Sequence, residues 1–312
     1  MLYGSIPAVG DRISRLVLGS AGLVSTQLDQ ETTLLDTFVA AGGTALDTAR
    51  SYGDSEAAIG SWLKRRGRHD DLTIITKGVH PITHGTPRVT PAAIESDLAQ
   101  SLATLGVDRI DLLLLHRDDP TQPVGPIMET LNTAVVKGQI RGAGASNWST
   151  ARIDEANAYA AQHGLAGFVA GSPNLALAVS SEPMWPDCIS VAGDAAALAW
   201  YRERQYPLLS WSSQASGFFS GRFAPDTVTD PHVARVYYRP DNWERLRRAR
   251  ELAASRGCTP TQVALAWVLH QPFPTFALIG PRTLPELEDC LGAVDVELTD
   301  AEGAWLNLEG GG

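Results

Sequence analysis

The chain has few cysteines, and the three that it has, Cys188, Cys258 and Cys290, form no CxxC pair. A disulfide framework like that of small secreted domains is therefore not expected. Basic runs are also missing, and 25 Lys and Arg against 35 Asp and Glu give a formal net charge of −10. Because nucleic acids and anionic membrane surfaces are bound through basic patches, neither is an expected partner.

Long apolar segments and targeting signals are missing as well. No stretch approaches the ~18 uninterrupted apolar residues of a membrane-spanning helix, and residues 1–5 lack the basic and then apolar pattern of a signal peptide. We therefore expect a cytoplasmic protein. With 44% hydrophobic and 19% charged residues, the composition is that of a globular protein. The sequence gives no indication of the oligomeric state.

What the chain does contain is a repeated alternation of short apolar runs and amphipathic segments. Eight strand–helix units follow one another, from a strand at 15–19 and a helix at 30–41 to a strand at 275–280 and a helix at 284–293. The count predicts an α/β fold, a single (β/α)8 TIM barrel over residues 1–312; a doubly wound sheet is the alternative. The segment nearest to the GxGxxG fingerprint of that alternative, GAG at 142–144, lacks a third glycine.

Three further segments lie outside the eight units. Residues 6–13, with Gly10-Asp11 in the middle, predict an N-terminal hairpin that caps one end of the barrel. Residues 259–270 and 299–308 predict two additional helices. Residues 241–256 are assigned to the barrel helix of the seventh unit.

Polar residues at the carboxyl ends of barrel strands converge on one face, where barrel enzymes have their active sites. Asp47 ends the second strand and Tyr52 follows it, Lys77 ends the third, and His116 follows the fourth. An ammonium beside a phenol lowers the phenol pKa from its usual ~10, and a carboxylate balances a buried ammonium. These four residues are thus candidates for proton transfer to a carbonyl oxygen, with no metal required. A hydrolase would need paired carboxylates, for which Asp47 and Asp118-Asp119 are the candidates.

Five motifs follow one another along the chain: DTARSYG at 47–53, TK at 76–77, LLLLHRDDP at 112–120, GQIRGAGASNW at 138–148 and IGPRT at 279–283. In this order they resemble the motifs of the aldo-keto reductase family. The resemblance implies a (β/α)8 barrel, a nicotinamide cofactor that is usually NADPH, and reversible reduction of aldehydes or ketones. It also implies that Tyr52 is the proton donor and that Asp47, Lys77 and His116 complete the catalytic set.

The resemblance assigns cofactor contacts position by position. The nicotinamide end would be bound by Ser146, Asn147, Ser172 and Trp211. The pyrophosphate loop would contain Ser212, Gln214, Gly217, Gly221 and Arg222. The adenosine 2′-phosphate would lie near Gly280, Arg282, Thr283, Glu286 and Cys290.

Several of these positions depart from the family's usual residues. Ser172 stands where a glutamine is expected, Glu286 where Gln or Arg is usual, and Cys290 where Asn is usual. A carboxylate repels a phosphate, whereas Arg282 attracts it. We therefore expect NADP(H), with NAD(H) as the alternative.

The substrate is expected to be a small carbonyl compound. The walls of its cleft are assigned to residues 80–88, Trp148, residues 183–186 and the loop at 222–239. Hydroxyl-binding side chains near Trp185 or Trp148 would suit a sugar-like compound. An alternative function is that of a cofactor-binding accessory subunit with little or no catalysis, because barrels of this family also serve as partners of membrane channels.

Overall fold

The computed structural model describes residues 1–24, 26, 28–82 and 85–309. In chain order the strands are β1 (Tyr3–Ile6), β2 (Gly10–Ser14), β3 (Leu16–Gly19), β4 (Ala45–Asp47), β5 (Thr73–Gly78), β6 (Ile110–Leu115), β7 (Ile140–Ser146), β8 (Phe168–Ser172), β9 (Leu208–Ser210) and β10 (Thr275–Ile279). Strands β3 to β10 run parallel, each beside its sequence neighbour, and β10 pairs back onto β3 to close a barrel. The prediction of a (β/α)8 barrel is confirmed.

The helices are α1 (Leu28–Ala40), α2 (Ser55–Arg66), α3 (Pro91–Leu105), α4 (Val124–Val136), α5 (Thr150–Gln162), α6 (Ala195–Arg204), α7 (Pro231–Tyr237), α8 (Pro240–Arg256), α9 (Pro260–Leu269), α10 (Leu284–Gly292) and α11 (Asp300–Leu306). Local sequence sets many of their ends. The Thr90 side chain accepts a hydrogen bond from the Ala93 amide, and Gly106 ends α3 in the left-handed conformation. Within the described ranges, no helix is long and apolar enough to cross a membrane.

Two helix assignments need correction. The helix that packs against β10 is α9, whose residues 263–269 are all buried, whereas α8 packs on α9 and α11. Residues 241–256 therefore lie in an additional helix, and 259–270 provide the barrel helix. The segment 222–239, expected to be a loop, contains α7, which begins where the Asp230 side chain accepts from the amides of His232 and Val233. Both α8 and α9 have helical sequences, so only packing distinguishes their positions.

The predicted hairpin is present, but its turn lies elsewhere. Strands β1 and β2 pair in an antiparallel manner around residues 7–9, where Ala8 has a positive φ of 63°, while Gly10 belongs to β2. Ile6, Val9 and Ile13 are buried against residues of the barrel interior. The Arg141 guanidinium, at the start of β7, donates to the Val9 carbonyl at 3.4 Å. The hairpin thus closes the amino-terminal end of the barrel and leaves the carboxyl end open for a site.

The glycines of β7 serve strand packing. A Cβ on Gly144 would lie 2.6 Å from the Leu114 side chain and 2.7 Å from the Ala170 carbonyl oxygen. Only glycine therefore allows this close approach of β7 to β6 and β8. The GAG segment has a structural explanation that does not involve a phosphate.

Candidate active site

The predicted catalytic residues meet at the carboxyl end of the barrel. Asp47 ends β4, Lys77 lies in β5, and His116 follows β6. The loop that carries Tyr52 extends the pairing of β4 with β5: the Thr48 amide donates to the Ile75 carbonyl, and the Arg50 amide donates to the Lys77 carbonyl, each at 2.9 Å. These bonds fix the loop beside β5 and hold Tyr52 above Lys77.

A buried ion pair lies at the centre of this group. The Lys77 ammonium donates to both Asp47 oxygens, at 2.5 and 2.7 Å, and to the Thr48 carbonyl at 3.0 Å. Burial raises the pKa of Asp47. Burial also acts to lower the pKa of Lys77, but the contact with the Asp47 carboxylate outweighs this effect and holds the pKa of Lys77 above its usual value. The ammonium thus keeps its positive charge although its side chain is buried.

The Tyr52 ring lies directly beside this ammonium. The Lys77 Nζ is 4.9 Å from the ring centroid, within the range of a cation–π contact. Burial nevertheless raises the pKa of the phenol, and the lowering effect of Lys77 offsets this only in part. The expected net decrease is therefore wrong for this structure, because desolvation of the phenolate outweighs the attraction of the ammonium. Tyr52 keeps its proton at neutral pH.

His116 forms the other side of the group. Its ring meets the Tyr52 ring edge-on at 5.6 Å and the His80 ring at 4.8 Å, and its Nδ1 lies 3.3 Å from the Ser51 hydroxyl. Burial lowers the pKa of His116 well below its usual 6.5, and the charges of Lys77 and Arg117 lower it further. The imidazole is therefore neutral at pH 7 and can offer a hydrogen bond without a charge.

These residues line one long cleft of about 1920 Å³. Predicted cofactor residues along its wall are Ser146, Asn147, Trp211, Ser212, Gln214, Gly217, Arg222, Gly280, Arg282, Glu286 and Cys290. Ser172, Gly221 and Thr283 are not part of this lining. The cleft therefore joins the predicted catalytic residues to both predicted phosphate sites.

At the nicotinamide end, Asn147 connects several strand ends. Its Oδ1 accepts from the Trp211 indole at 3.2 Å and from the Ile189 amide at 3.1 Å, while its Nδ2 donates to the His116 carbonyl at 3.3 Å. Ser146 donates to the Ser172 carbonyl at 3.0 Å. The Ser172 hydroxyl is buried and has no hydrogen-bond partner among the residues that the structure describes. It lies behind the cleft wall.

At the pyrophosphate end, the backbone turns sharply. Gly217 has a φ of 81°, and the Arg222 guanidinium lies so close that a Cβ at Gly217 would overlap it. Gln214 donates to the Cys290 sulfur at 3.2 Å. Burial raises the pKa of Cys290 to about 12, so this residue is a neutral thiol. Gly221, also with positive φ, ends the 3-10 turn at Ala215–Ser220.

The N-terminus of α10 forms the far end of the cleft. Thr283 is its N-cap and accepts from the Glu286 amide at 3.3 Å. The Glu286 carboxylate accepts from the Arg282 amide at 2.7 Å. An acidic side chain therefore already occupies one of the amide donors that would attract an anion.

The substrate walls are partly as predicted. His80, Pro81, Ile82, Gly85 and Arg88 line the cleft, as do Trp185, Pro186, Arg222, Phe223 and Asp230; residues 83–84 lie outside the described residues. Trp148 is not part of the wall. It is buried, its ring packs edge-on against Phe168 at 5.2 Å, and its indole donates to the Arg117 carbonyl at 3.1 Å.

The sequence reasoning assigned neither Ser51 nor Arg117 to the cleft, and both line it. The sequence does indicate a cleft position for Arg117, because this charged residue directly follows His116 at the carboxyl end of a barrel strand. In the described part of the chain, no group of three or more His, Cys, Asp or Glu is arranged to hold a metal ion.

Comparison with known proteins agrees with this geometry. The profile of the Aldo/keto reductase family matches residues 15–307. Aldo-keto reductase str7 of Strobilurus tenacellus is 31% identical over 292 residues, which are 91% of this chain and 82% of the relative. Norsolorinic acid reductase B of Dothistroma septosporum is 27% identical over 317 residues, 95% of this chain and 78% of the relative.

Two further similarities are informative. Aldo-keto reductase yakc [NADP(+)] of Schizosaccharomyces pombe is 28% identical over 261 residues, 80% of this chain and 73% of the relative. The crystal structure of a thermostable aldo-keto reductase has a TM-score of 0.77 and covers 99% of each chain at 22% identity. At that identity the likeness concerns the fold alone.

The ion pair leads to a prediction about stability. Lys77→Met should lower the free energy of unfolding by about 3–5 kcal/mol, because Asp47 would remain buried without a partner. The double variant Asp47→Leu/Lys77→Met should regain most of this loss. Denaturation in urea measures both, and Arg247→Met, at an exposed ion pair, should cause a much smaller change. A double variant no more stable than Lys77→Met would contradict the prediction.

His116 leads to a prediction about pH. The pKa of His116 in the folded protein lies below 6.5, so the unfolded chain binds a proton at this residue more readily. Protonation of His116 therefore lowers the stability of the fold as the pH falls below 6.5, and it has no such effect above that pH. As the pH falls below 6.5, the free energy of unfolding of the wild type should therefore decrease relative to that of His116→Asn, by up to ~1.4 kcal/mol per pH unit. Urea denaturation at a series of pH values tests this; parallel curves for the two proteins would refute it.

Proposed function

Because the chain belongs to the aldo/keto reductase family, we propose that it reduces an aldehyde or ketone to an alcohol with NADPH, and that Tyr52 donates the proton. The observation that carries this proposal is the stacked arrangement of Asp47, Lys77 and Tyr52 beside a neutral His116 in one cleft. The reductases of norsolorinic acid named among the relatives support the direction of the reaction.

The residues of the cleft fit a nicotinamide dinucleotide. A Cβ on Gly280 would meet no atom within 4 Å, so its backbone is open to the cleft. Ser146 and Asn147 would hold the carboxamide, Trp211 would lie against the ring, and Arg222 and Arg282 would bind phosphates. When bound, the reduced cofactor supplies a hydride to the carbonyl carbon.

Tyr52 and His116 act on the carbonyl oxygen. Both hydrogen-bond it, and the bonds strengthen as negative charge develops there. The resulting alkoxide is far more basic than a phenolate, so Tyr52 transfers its proton although burial raises its pKa. Lys77 then stabilises the phenolate, and Asp47 keeps the ammonium charged and in position. Ser51, through its contact with Nδ1, orients the His116 ring.

Replacement of the phenol tests this assignment. Tyr52→Phe should reduce turnover of an aldehyde panel about 10²–10⁴-fold, because the general acid is lost. NADPH binding, followed by quenching of tryptophan fluorescence, should persist. The matched control is Tyr159→Phe, an exposed phenol bonded to Glu129, which should keep its turnover. Full activity of Tyr52→Phe would refute the assignment; a wild type that binds NADPH without any turnover would favour an accessory subunit.

A second test concerns the choice between NADPH and NADH. We propose that Arg282 binds the 2′-phosphate and that Glu286 weakens this binding by repulsion and by its bond to the Arg282 amide. Arg282→Ala should raise the Kd for NADPH about tenfold more than that for NADH. Glu286→Gln should favour NADPH several-fold, whereas Glu288→Gln, exposed on the same helix, should change neither. Equal shifts for both cofactors would show that the 2′-phosphate is not bound there.

A further inference from the structure

Arg117 is a buried cation for which the described residues provide no anionic partner. Its side chain is only 8% exposed and lines the cleft next to His116. Its Nη1 donates to the His116 carbonyl at 2.8 Å, and no carboxylate of the described residues forms an ion pair with it. Buried charges in proteins are normally paired, so this one lacks the expected counter-charge.

Three other cations of the cleft, near the predicted catalytic residues, show the contrast. Lys77 is paired with Asp47, Arg50 with the buried Glu56 at 3.0 Å, and Arg88 with the buried Asp97 at 2.6 Å. Their charges are thus neutralised within the protein. Outside the cleft, the buried Arg245 also forms no ion pair with any residue in the described ranges, but it donates to Asn242 and to the Asn307 carbonyl. Arg117 therefore differs from these arginines in two respects together: it has no carboxylate partner among the described residues, and it lines the proposed substrate region of the cleft.

Its position is on the substrate side of the cleft. Arg117 lines the cleft together with Tyr52, His116, His80 and Cys188, and its positive charge acts to lower the pKa of each of these groups. The Arg117 backbone is fixed, because its carbonyl accepts from the Trp148 indole. The Nη1 bond to the His116 carbonyl positions the guanidinium, and a guanidinium can offer two parallel donors to a carboxylate.

We propose that Arg117 binds an anionic group of the substrate, so that the enzyme acts on carbonyl compounds that also carry a carboxylate. This inference rests on the proposed reductase function. The carbonyl lies between Tyr52 and His116, and the carboxylate lies on the Arg117 guanidinium. The exposed Asp187, on the rim of the same cleft, disfavours a second negative group there.

The test compares 2-, 3- and 4-carboxybenzaldehyde with their methyl esters. At least one acid should have a kcat/KM about ten times that of its ester or more, mainly through KM. Arg117→Met should remove this preference, and Arg117→Lys should restore part of it. Arg202→Met, an exposed arginine on α6, makes the same change in net charge and should keep the preference. Thermal unfolding verifies that each variant is folded.

The outcomes separate the two proposals. If the esters are reduced and no acid is preferred, or if the preference survives Arg117→Met, the anion site is refuted and the reductase function stands. Equal losses of kcat for acids and esters would mean that Arg117 acts on the reacting carbonyl, which also refutes the anion site. If no aldehyde is reduced, the reductase proposal fails. Calorimetric binding of benzoate, tenfold weaker in Arg117→Met, then still tests the anion site without turnover.

Discussion

The ion pair between Lys77 and Asp47 is the interaction on which the rest of the site depends. Two charges are removed from water at the ends of adjacent strands, and such burial is costly unless the geometry is good. Here each donor of the ammonium has an acceptor within 3.0 Å. The pair forms because β4 and β5 are adjacent parallel strands. Their register places Asp47 opposite Ile75, and Ile75 lies two residues before Lys77 in β5. The barrel closure thus determines where the charge lies.

Burial then gives Tyr52 and His116 different roles. Loss of solvent disfavours phenolate at Tyr52 and imidazolium at His116, so both are neutral at pH 7. A neutral phenol retains its proton until a stronger base forms next to it, and a neutral imidazole can orient an oxygen without competing for that proton. The ammonium of Lys77 is the fixed charge beside them. In the proposed reaction, proton transfer therefore depends on the charge that develops on the substrate and not on an acidic tyrosine.

The sequence predicts which residues form the site, but not how closely they are packed. Asp47, Lys77 and His116 could be predicted together because strand ends of a barrel share one face. The direction of the Tyr52 pKa could not, since desolvation depends on how closely the surrounding loops pack. The hairpin turn was assigned to Gly10 because glycine is common in turns, yet Ala8 adopts the positive φ. Trp148 is predicted to line the cleft, but its ring is buried against Phe168 of β8.

The charge of the cleft resolves an apparent conflict with the charge of the chain. A net charge of −10 repels anions over the surface as a whole, yet the dinucleotide and the carboxylate that we propose as ligands are both anionic. The paired cations of the cleft cannot attract them, because Glu56 and Asp97 already neutralise Arg50 and Arg88. Within the described ranges, Arg117, Arg222 and Arg282 have no ion-pair partner. They stand at the proposed substrate, pyrophosphate and adenosine parts of the cleft. Anions would therefore be attracted locally, although the chain as a whole repels them.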